Sequence, residues 1–105
     1  MKEYTLVYSQ RFQQSLSNLI TEWENELLLS QTSIKRFVGA IQKALELTKT
    51  FPKMYEEVSK IYGMKTTTYR IVIGKSYALF YRIDDEKKEI LVGRIFQSKQ
   101  MRLDF

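Results

Sequence analysis

The apolar residues of this chain change their spacing at Phe51-Pro52, and that change most constrains the fold. Before this point they recur at three- and four-residue steps, which is the spacing of amphipathic helices. After it they alternate with polar residues, which is the spacing of half-buried strands. Pro52 is the only proline of the chain, and it forces the residue before it out of helical geometry. We therefore expect an α+β fold with helices packed on a sheet.

The helical part carries two apolar stripes. The first follows Ser9, a good N-cap, and predicts a helix over 10–29 with an apolar face of Phe12, Leu16, Leu19, Ile20, Trp23 and Leu27. The second ends at Phe51-Pro52 and has an apolar face of Ile34, Phe37, Val38, Ile41, Leu45 and Thr48. Its start can be capped by Ser30, Thr32 or Ser33. The two helices should form an antiparallel hairpin, in which Gly39 and Ala40 allow a close approach.

Four segments are rich in β-branched and aromatic residues and predict strands: 3–8, 66–73, 77–83 and 89–96. Gly74-Lys75 suits a two-residue hairpin turn, and Asp84 to Lys88 forms a polar turn. Residues 53–65 are expected to form a loop, with a helical turn near Tyr55-Glu56-Glu57-Val58. The predicted order is β-α-α-β-β-β, an antiparallel sheet with the helical hairpin on one face.

Composition excludes many kinds of chemistry. The 105 residues fit a single domain over 1–105, and they include no Cys and no His. Disulfides, thiolate zinc sites, iron–sulfur clusters, cysteine nucleophiles and Ser-His-Asp triads are therefore impossible. We assign no metal and no cofactor, because the acids Asp84-Asp85-Glu86 are typical of a solvated turn. No signal peptide or membrane span is visible, so a cytoplasmic location without a membrane partner is expected.

Positive charge is concentrated in the second half of the chain. The net charge is +5, and the stretch from Val58 to Ile83 has five basic residues and no acidic one. They are Lys60, Lys65, Arg70, Lys75 and Arg82. Such a stretch suits a polyanion or an acidic protein segment, although scattered solubilising charge gives the same pattern.

The strand block resembles a known family. The runs Thr68 to Ile83 (TYRIVIGKSYALFYRI) and Ile90 to Gln97 (ILVGRIFQ) resemble the RelE/ParE superfamily of toxins from bacterial type II toxin–antitoxin systems. The early strand ending in Tyr8-Ser9, the two helices and Phe51-Pro52 follow the order of that family. The resemblance implies the predicted β-α-α-β-β-β fold. It also implies a cognate antitoxin partner, whose acidic amphipathic segment folds on the toxin beside the helix hairpin.

The superfamily contains two activities, and the sequence departs from both patterns. RelE-type members cleave mRNA on the ribosome and have a basic residue after the Tyr of the third strand, where this chain has Ala78 after Tyr77. Several nuclease relatives use a His, or a Tyr or Arg in the tail, as acid or base near the end of the last strand, where this chain has Gln97. Gln cannot transfer a proton. ParE-type members inhibit DNA gyrase, and the His of ParE-like members is also absent at position 97. The apolar Ala78 favours the ParE-like reading, in which the toxin poisons gyrase without chemistry of its own; mRNA cleavage and a non-toxic adaptor are the alternatives.

Candidate site residues follow from the resemblance and from charge. For target binding they are Arg70, Lys75, Arg82, Arg94, Gln97, Lys99 and Arg102. If the chain is a nuclease, the catalytic candidates are Arg70, Arg94, Lys99 and Arg102, with Tyr69, Tyr77, Tyr81 and Glu89 as further possible bases. Packing in the core or on the sheet is the competing role of the tyrosines, and a structural ion pair is that of Arg70 and Arg94. The tail has an alternative role, in which its apolar residues pack back on the core as a clasp; they are Met101, Leu103 and Phe105.

Overall fold

Helices and strands occur in the predicted order, with one additional short strand. The computed structural model describes residues 3–97. Its elements are β1 (Thr5–Tyr8), α1 (Gln10–Asn25), α2 (Gln31–Thr50), β2 (Glu56–Glu57), β3 (Tyr69–Ile73), β4 (Tyr77–Asp84) and β5 (Glu89–Gln97). The α+β class is confirmed.

The strands form one mixed sheet in the order β1-β5-β4-β3-β2. Strands β3, β4 and β5 make the predicted antiparallel meander, but β1 is parallel to β5, with Thr5 opposite Glu89 and Tyr8 opposite Val92. The expectation of a purely antiparallel sheet is therefore wrong. Alternation of apolar residues shows which side chains are buried, and it carries no information on the direction of the neighbouring strand.

Helix α1 begins where the sequence predicts and ends earlier. The Ser9 hydroxyl accepts a 3.0 Å hydrogen bond from the Phe12 N–H, as an N-cap does. The helix stops at Asn25 and not at 29, because Leu28 has a φ of 51° and turns the chain away. Leu27 lies outside the helix and is exposed, so it does not join the buried face.

Helix α2 ends where the sequence predicts, and it starts after Ser30, one of the three predicted caps. Ser30 caps it by accepting a 3.1 Å hydrogen bond from the Ser33 N–H, and Phe51 ends it immediately before Pro52. Thr48 is fully buried, as its place in the stripe predicts. The expected close approach at Gly39 is wrong, since a Cβ added there would meet nothing within 4 Å.

The connections differ from prediction in two places. The segment expected to form a helical turn contains β2, which is held extended by its pairing with β3 and by a 2.8 Å hydrogen bond from the Val58 N–H to the Thr68 carbonyl. The β3–β4 turn has three residues, 74–76, and not two. Gly74 has a φ of 64° there, a value that glycine adopts without steric cost.

Each face of the sheet has its own apolar cluster. The larger cluster lies under the helices and includes Phe12, Ile41, Leu45, Ile71, Leu79, Tyr81, Ile90, Val92 and Ile95. The smaller one lies on the other face and consists of Val58, Ala78, Phe80 and Phe96, with Tyr62 and Met64 packed against it. The helices therefore cover one face, and the loop from Val58 to Met64 covers part of the other.

Candidate functional site

The second half of β5 is bordered by α1, and this arrangement creates a polar cleft. Strand β1 pairs with β5 only as far as Val92. Beyond that point α1 supplies hydrogen-bonding groups to the strand edge. The Ser9 hydroxyl donates to the Gly93 carbonyl at 2.6 Å, and the Ile95 N–H donates to the Ser15 hydroxyl at 3.2 Å. Arg94 therefore stands beside the polar side of α1.

The cleft combines cationic and amide side chains. It has a volume of about 230 Å³ and is lined by Arg11, Gln14, Ser15, Asn18 and Arg94. A second cavity of about 150 Å³ shares three of these residues and extends the cleft toward Glu22. Guanidinium groups remain charged at all physiological pH values and present planar sets of donors that match phosphate oxygens. The cleft is suited to a phosphate or a carboxylate.

Arg70 lies in a different environment, on the sheet face opposite the helices. The pairing of β2 with β3 places Glu56 opposite Arg70, and their side chains form a 2.5 Å ion pair. The same guanidinium donates a 2.5 Å hydrogen bond to the Tyr62 hydroxyl and lies 5.8 Å from the Tyr62 ring centroid. Arg70 thus connects β2, β3 and the loop that carries Tyr62.

Arg82 lies near Arg70 on the same face. Because Arg70 is opposite Phe80, Arg82 occupies the diagonal position on the neighbouring strand. Its Nε donates a 3.0 Å hydrogen bond to the Thr68 hydroxyl, and burial lowers the pKa of its guanidinium. The structure therefore brings together two of the three predicted strand arginines, Arg70 and Arg82, while Arg94 lines the α1 cleft.

The remaining predicted residues lie at one end of the sheet or outside the described range. Lys75 is exposed on the β3–β4 turn. Gln97 is opposite Tyr77, the first residue after that turn, so Lys75 and Gln97 belong to the same end of the sheet. Two candidates, Lys99 and Arg102, fall outside the described residues 3–97. The predicted target contact of the tail and its alternative role as a clasp fall outside that range too.

The three strand tyrosines have structural contacts. The Tyr81 hydroxyl donates to the Pro52 carbonyl at 2.7 Å, and burial raises the pKa of this fully buried phenol. Tyr69 stacks on Tyr81 with ring centroids 5.2 Å apart. The Tyr77 hydroxyl accepts a hydrogen bond from Trp23. These contacts support the packing role of all three.

The acidic side chains of the β4–β5 turn form hydrogen bonds close to the turn. An Asp84 carboxylate oxygen accepts a hydrogen bond from the Lys87 N–H, and Asp85 accepts one from the Tyr4 hydroxyl. Among the described residues no group of three acidic side chains is arranged to hold a metal ion. Over the same range no helix is both long and apolar enough to cross a membrane.

An apolar groove runs between α1, α2 and the end of β1. It has a volume of about 240 Å³ and is lined by Tyr8, Phe12, Leu16, Val38, Ile41, Gln42 and Leu45. This groove corresponds to the predicted apolar surface beside the helix hairpin. Its volume and apolar lining suit a few side chains of an amphipathic helix.

Comparison with known proteins identifies the family. Residues 6–102 match the family model described as the ParE toxin of the type II toxin–antitoxin system, parDE. The chain belongs to the RelE/ParE superfamily of type II toxins. No curated protein matches the sequence.

Solved structures of toxins and their complexes share the fold. A chain of the intact E. coli RelBE toxin–antitoxin complex matches with a TM-score of 0.54 and 20% identity, over 92% of this toxin and 99% of that chain. A chain of the RelBE2 complex from Mycobacterium tuberculosis matches with a TM-score of 0.60 and 18% identity, over 95% and 97%. The E. coli toxin RelE, as a double arginine-to-alanine mutant in the free state, matches with a TM-score of 0.59 and 22% identity, over 92% and 85%. At these identities the likeness concerns the fold.

Sequence reasoning missed the α1 side of the toxin's polar cleft. Arg11, Gln14 and Asn18 lie on the polar side of an amphipathic helix, where such residues are expected simply because they face water. Only the packing of α1 along the edge of β5 brings them to Arg94. Three- and four-residue steps place these side chains on one side of the helix: Arg11, Gln14, Ser15 and Asn18. Nothing in the sequence shows that this side packs beside β5.

Proposed function

We propose that this toxin arrests growth as an endoribonuclease that cuts mRNA on the ribosome. The cleft of Arg11 and Arg94 carries the proposal, because two guanidinium groups and two carboxamides suit an RNA phosphate. The solved structures that share its fold include RelE toxins, which supports the same reading. The sequence alone favoured gyrase inhibition.

The cleft would act by stabilising charge. The 2′-hydroxyl loses its proton to a base and bonds to the neighbouring phosphorus, the bond from phosphorus to the 5′ oxygen of the next nucleotide breaks, and that oxygen leaves with a proton from an acid. The products are a 2′,3′-cyclic phosphate and a free 5′-hydroxyl, and negative charge accumulates on the phosphate oxygens in the transition state. A correctly placed donor contributes about 10²–10³-fold to the rate, which is comparable with the 10²–10⁴-fold contribution of a general acid or base. Arg94 and Arg11 can therefore supply a large part of the acceleration by charge stabilisation alone.

Proton transfer would depend on groups other than the strand tyrosines, which are engaged in the fold. Lys99 and Glu89 are the remaining candidates within the chain, and their roles stay predictions. Holding the RNA in line for attack is a positioning effect, and a ribosome that fixes the mRNA supplies that effect. Cleavage of free RNA should accordingly be slow.

The partner that restrains the toxin is a cognate antitoxin. The solved relatives include two toxin–antitoxin complexes. The apolar groove around Phe12, Val38 and Ile41 would receive one face of an acidic amphipathic helix of the antitoxin. Both partners would act in the cytoplasm, where the mRNA is translated.

Gyrase inhibition is the second candidate, and two observations favour it. The matching family model is described as a ParE toxin. The tyrosines of the strands are held by packing and hydrogen bonds, as in a protein that acts by binding alone. In that case the target surface would be the basic sheet face of Arg70 and Arg82 with Lys75.

A pulse of toxin expression separates the two functions. Transcript ends are mapped after a few minutes of induction, and chromosome breaks are measured in the same culture. New mRNA 5′ ends within translated regions, lost in an Arg94→Ala strain, are expected. Gyrase-dependent DNA breaks with intact mRNA would replace the nuclease proposal by gyrase inhibition.

A further inference from the structure

Exposed apolar side chains are concentrated at the two ends of α2. Within residues 3–97 nine large apolar side chains are exposed, and six of them lie at these ends. The first group, the leucine tip, consists of Leu27, Leu28 and Leu29 in the α1–α2 turn, of which Leu28 is 79% exposed. The second consists of Leu47, Phe51 and Met54. Connections between helices are normally polar, so three consecutive exposed leucines call for a partner surface.

The leucine tip has a defined conformation. Leu28 has a φ of 51°, in the left-handed region that glycine or asparagine usually occupies at the end of a helix. The Leu29 N–H donates a 2.9 Å hydrogen bond to the Trp23 carbonyl and closes the turn. The backbone thus accepts strain and holds the Leu28 side chain in solvent. Strained backbone clusters at functional positions, which agrees with a contact role for Leu28.

The other end of α2 offers a receptor of matching size and opposite charge. A cavity of about 400 Å³ is lined by Thr50, Phe51, Pro52, Lys53 and Met54, and a leucine side chain fits within it. The tip is acidic, since residues 12–34 include Glu22, Glu24 and Glu26 and no Lys or Arg. Lys53 stands at the cavity, so an acidic apolar end and a basic apolar end are complementary.

Between its two ends, α2 has an exposed side with small residues at its middle. Leu47 follows Ala40 by seven positions, which is about two helical turns, so these two side chains lie on the same side of α2. Ala40 lies near the middle of α2 and is exposed. Beside it, a Cβ added at Gly39 would meet nothing within 4 Å. A second helix can therefore approach closely at the middle of α2.

We infer that two copies of this chain associate through antiparallel α2 helices, with the leucine tip of each copy in the Phe51–Met54 cavity of the other. A two-fold axis near Ala40 makes both contacts at once, as in an isologous dimer. The helix is about 30 Å long, which sets the distance between the two contacts. The apolar groove at Val38 and Ile41 lies on another side of α2, so the dimer leaves it accessible. This inference does not depend on the proposed function.

The antiparallel alignment also brings like charges together. With the two-fold axis near Ala40, the residue numbers of two facing positions add up to about 80. Arg36 of one copy therefore lies near Lys43 of the other. Both are exposed. This repulsion weakens the dimer, and its removal gives a test in which association becomes stronger.

Sedimentation equilibrium of the purified full chain measures the association. The wild type should pass from monomer to dimer as the concentration rises. Leu28→Asp and Phe51→Asp should each raise the dimer dissociation constant about tenfold or more, as loss of a central apolar anchor does. Leu28→Asp should also fold well, because Asp tolerates a positive φ better than Leu. Val72→Asp is the control, since Val72 is 55% exposed on β3 and lies outside the contact.

Charge exchange tests the alignment. Glu26→Lys should weaken the dimer, and Lys53→Glu in the same chain should restore it. Arg36→Glu should tighten it by removing the repulsion from Lys43. A wild type that stays monomeric at every concentration, a dimer insensitive to Leu28→Asp and Phe51→Asp, or a dimer that Arg36→Glu does not tighten would each overturn the inference.

Discussion

The indole N–H of Trp23 donates a 2.9 Å hydrogen bond to the hydroxyl of Tyr77, and this bond joins α1 to β4. Trp23 is 2% exposed, and the ring of Phe37 from α2 packs against both partners, with centroids 4.5 Å and 5.0 Å away. Three elements therefore meet at one aromatic cluster. The Tyr77 hydroxyl completes that cluster, which gives Tyr77 a structural role.

Tyr77→Phe should accordingly lower stability and spare activity. The substitution leaves the buried Trp23 N–H without its partner, which costs about 1–3 kcal/mol. Thermal unfolding measures the loss, and Tyr4→Phe is the matched control because the Tyr4–Asp85 bond is exposed and should contribute little. Loss of toxicity at an unchanged melting temperature would instead give Tyr77 a catalytic role.

Arg94→Ala should relieve growth arrest while the chain stays folded. The substitution removes one of the two guanidinium groups of the α1–β5 cleft, and loss of one such donor lowers a rate by about 10²–10³-fold. Growth after induction and the melting temperature are measured together. Lys65→Ala removes an exposed positive charge elsewhere and should stay toxic. Equal loss of toxicity in both variants would show an effect of net charge alone.

Arg70→Ala should act mainly on stability. Arg70 forms an ion pair with Glu56 and a hydrogen bond with Tyr62, but the pair is partly exposed, so solvent screening limits the loss to about 1 kcal/mol. Glu56→Ala removes the other partner and should cause a similar change in melting temperature. If Arg70→Ala abolished toxicity with no change in melting temperature, the basic sheet face would be the target surface.

The apolar groove should be required for antitoxin binding. Val38→Asp places a charge among Phe12, Leu16 and Ile41, which an apolar partner surface cannot solvate. We expect the variant to lose most of its affinity for the antitoxin and to remain toxic. Val72→Asp, on the opposite sheet face, is the control for folding and should bind normally. Unchanged binding by Val38→Asp would show that the antitoxin binds at another surface of the toxin.

Acid should weaken the loop that follows β2, through Glu57. Its carboxylate accepts hydrogen bonds from the Ser59 hydroxyl and, at 2.6 Å, from the Ser59 N–H, and these bonds lower its pKa in the folded protein. A lowered pKa stabilises the fold above the unfolded value of about 4.3, and that stabilisation is lost as the pH falls through the folded pKa. Unfolding experiments across this window should show a flatter pH dependence for Glu57→Gln than for the wild type. An identical pH dependence would contradict the assignment.

The fold was more predictable than the site, for physical reasons visible in single elements. Apolar spacing located both helices and the meander because burial dictates that spacing, and Ser9, Ser30 and Pro52 marked the helix limits through local chemistry. The parallel pairing of β1, the strand at Glu56 and the cleft of Arg11 with Arg94 depend on contacts between residues far apart in the chain. No local pattern encodes those contacts.

Cleavage of ribosome-bound mRNA by the purified toxin is the measurement that tests the central claim most directly. The toxin is incubated with ribosomes stalled on a defined mRNA and, in parallel, with gyrase in a supercoiling reaction. We predict codon-specific cleavage of the ribosome-bound mRNA, reduced at least a hundredfold in Arg94→Ala, with supercoiling unaffected. Uncut mRNA together with inhibited supercoiling would contradict the proposal and establish the gyrase alternative.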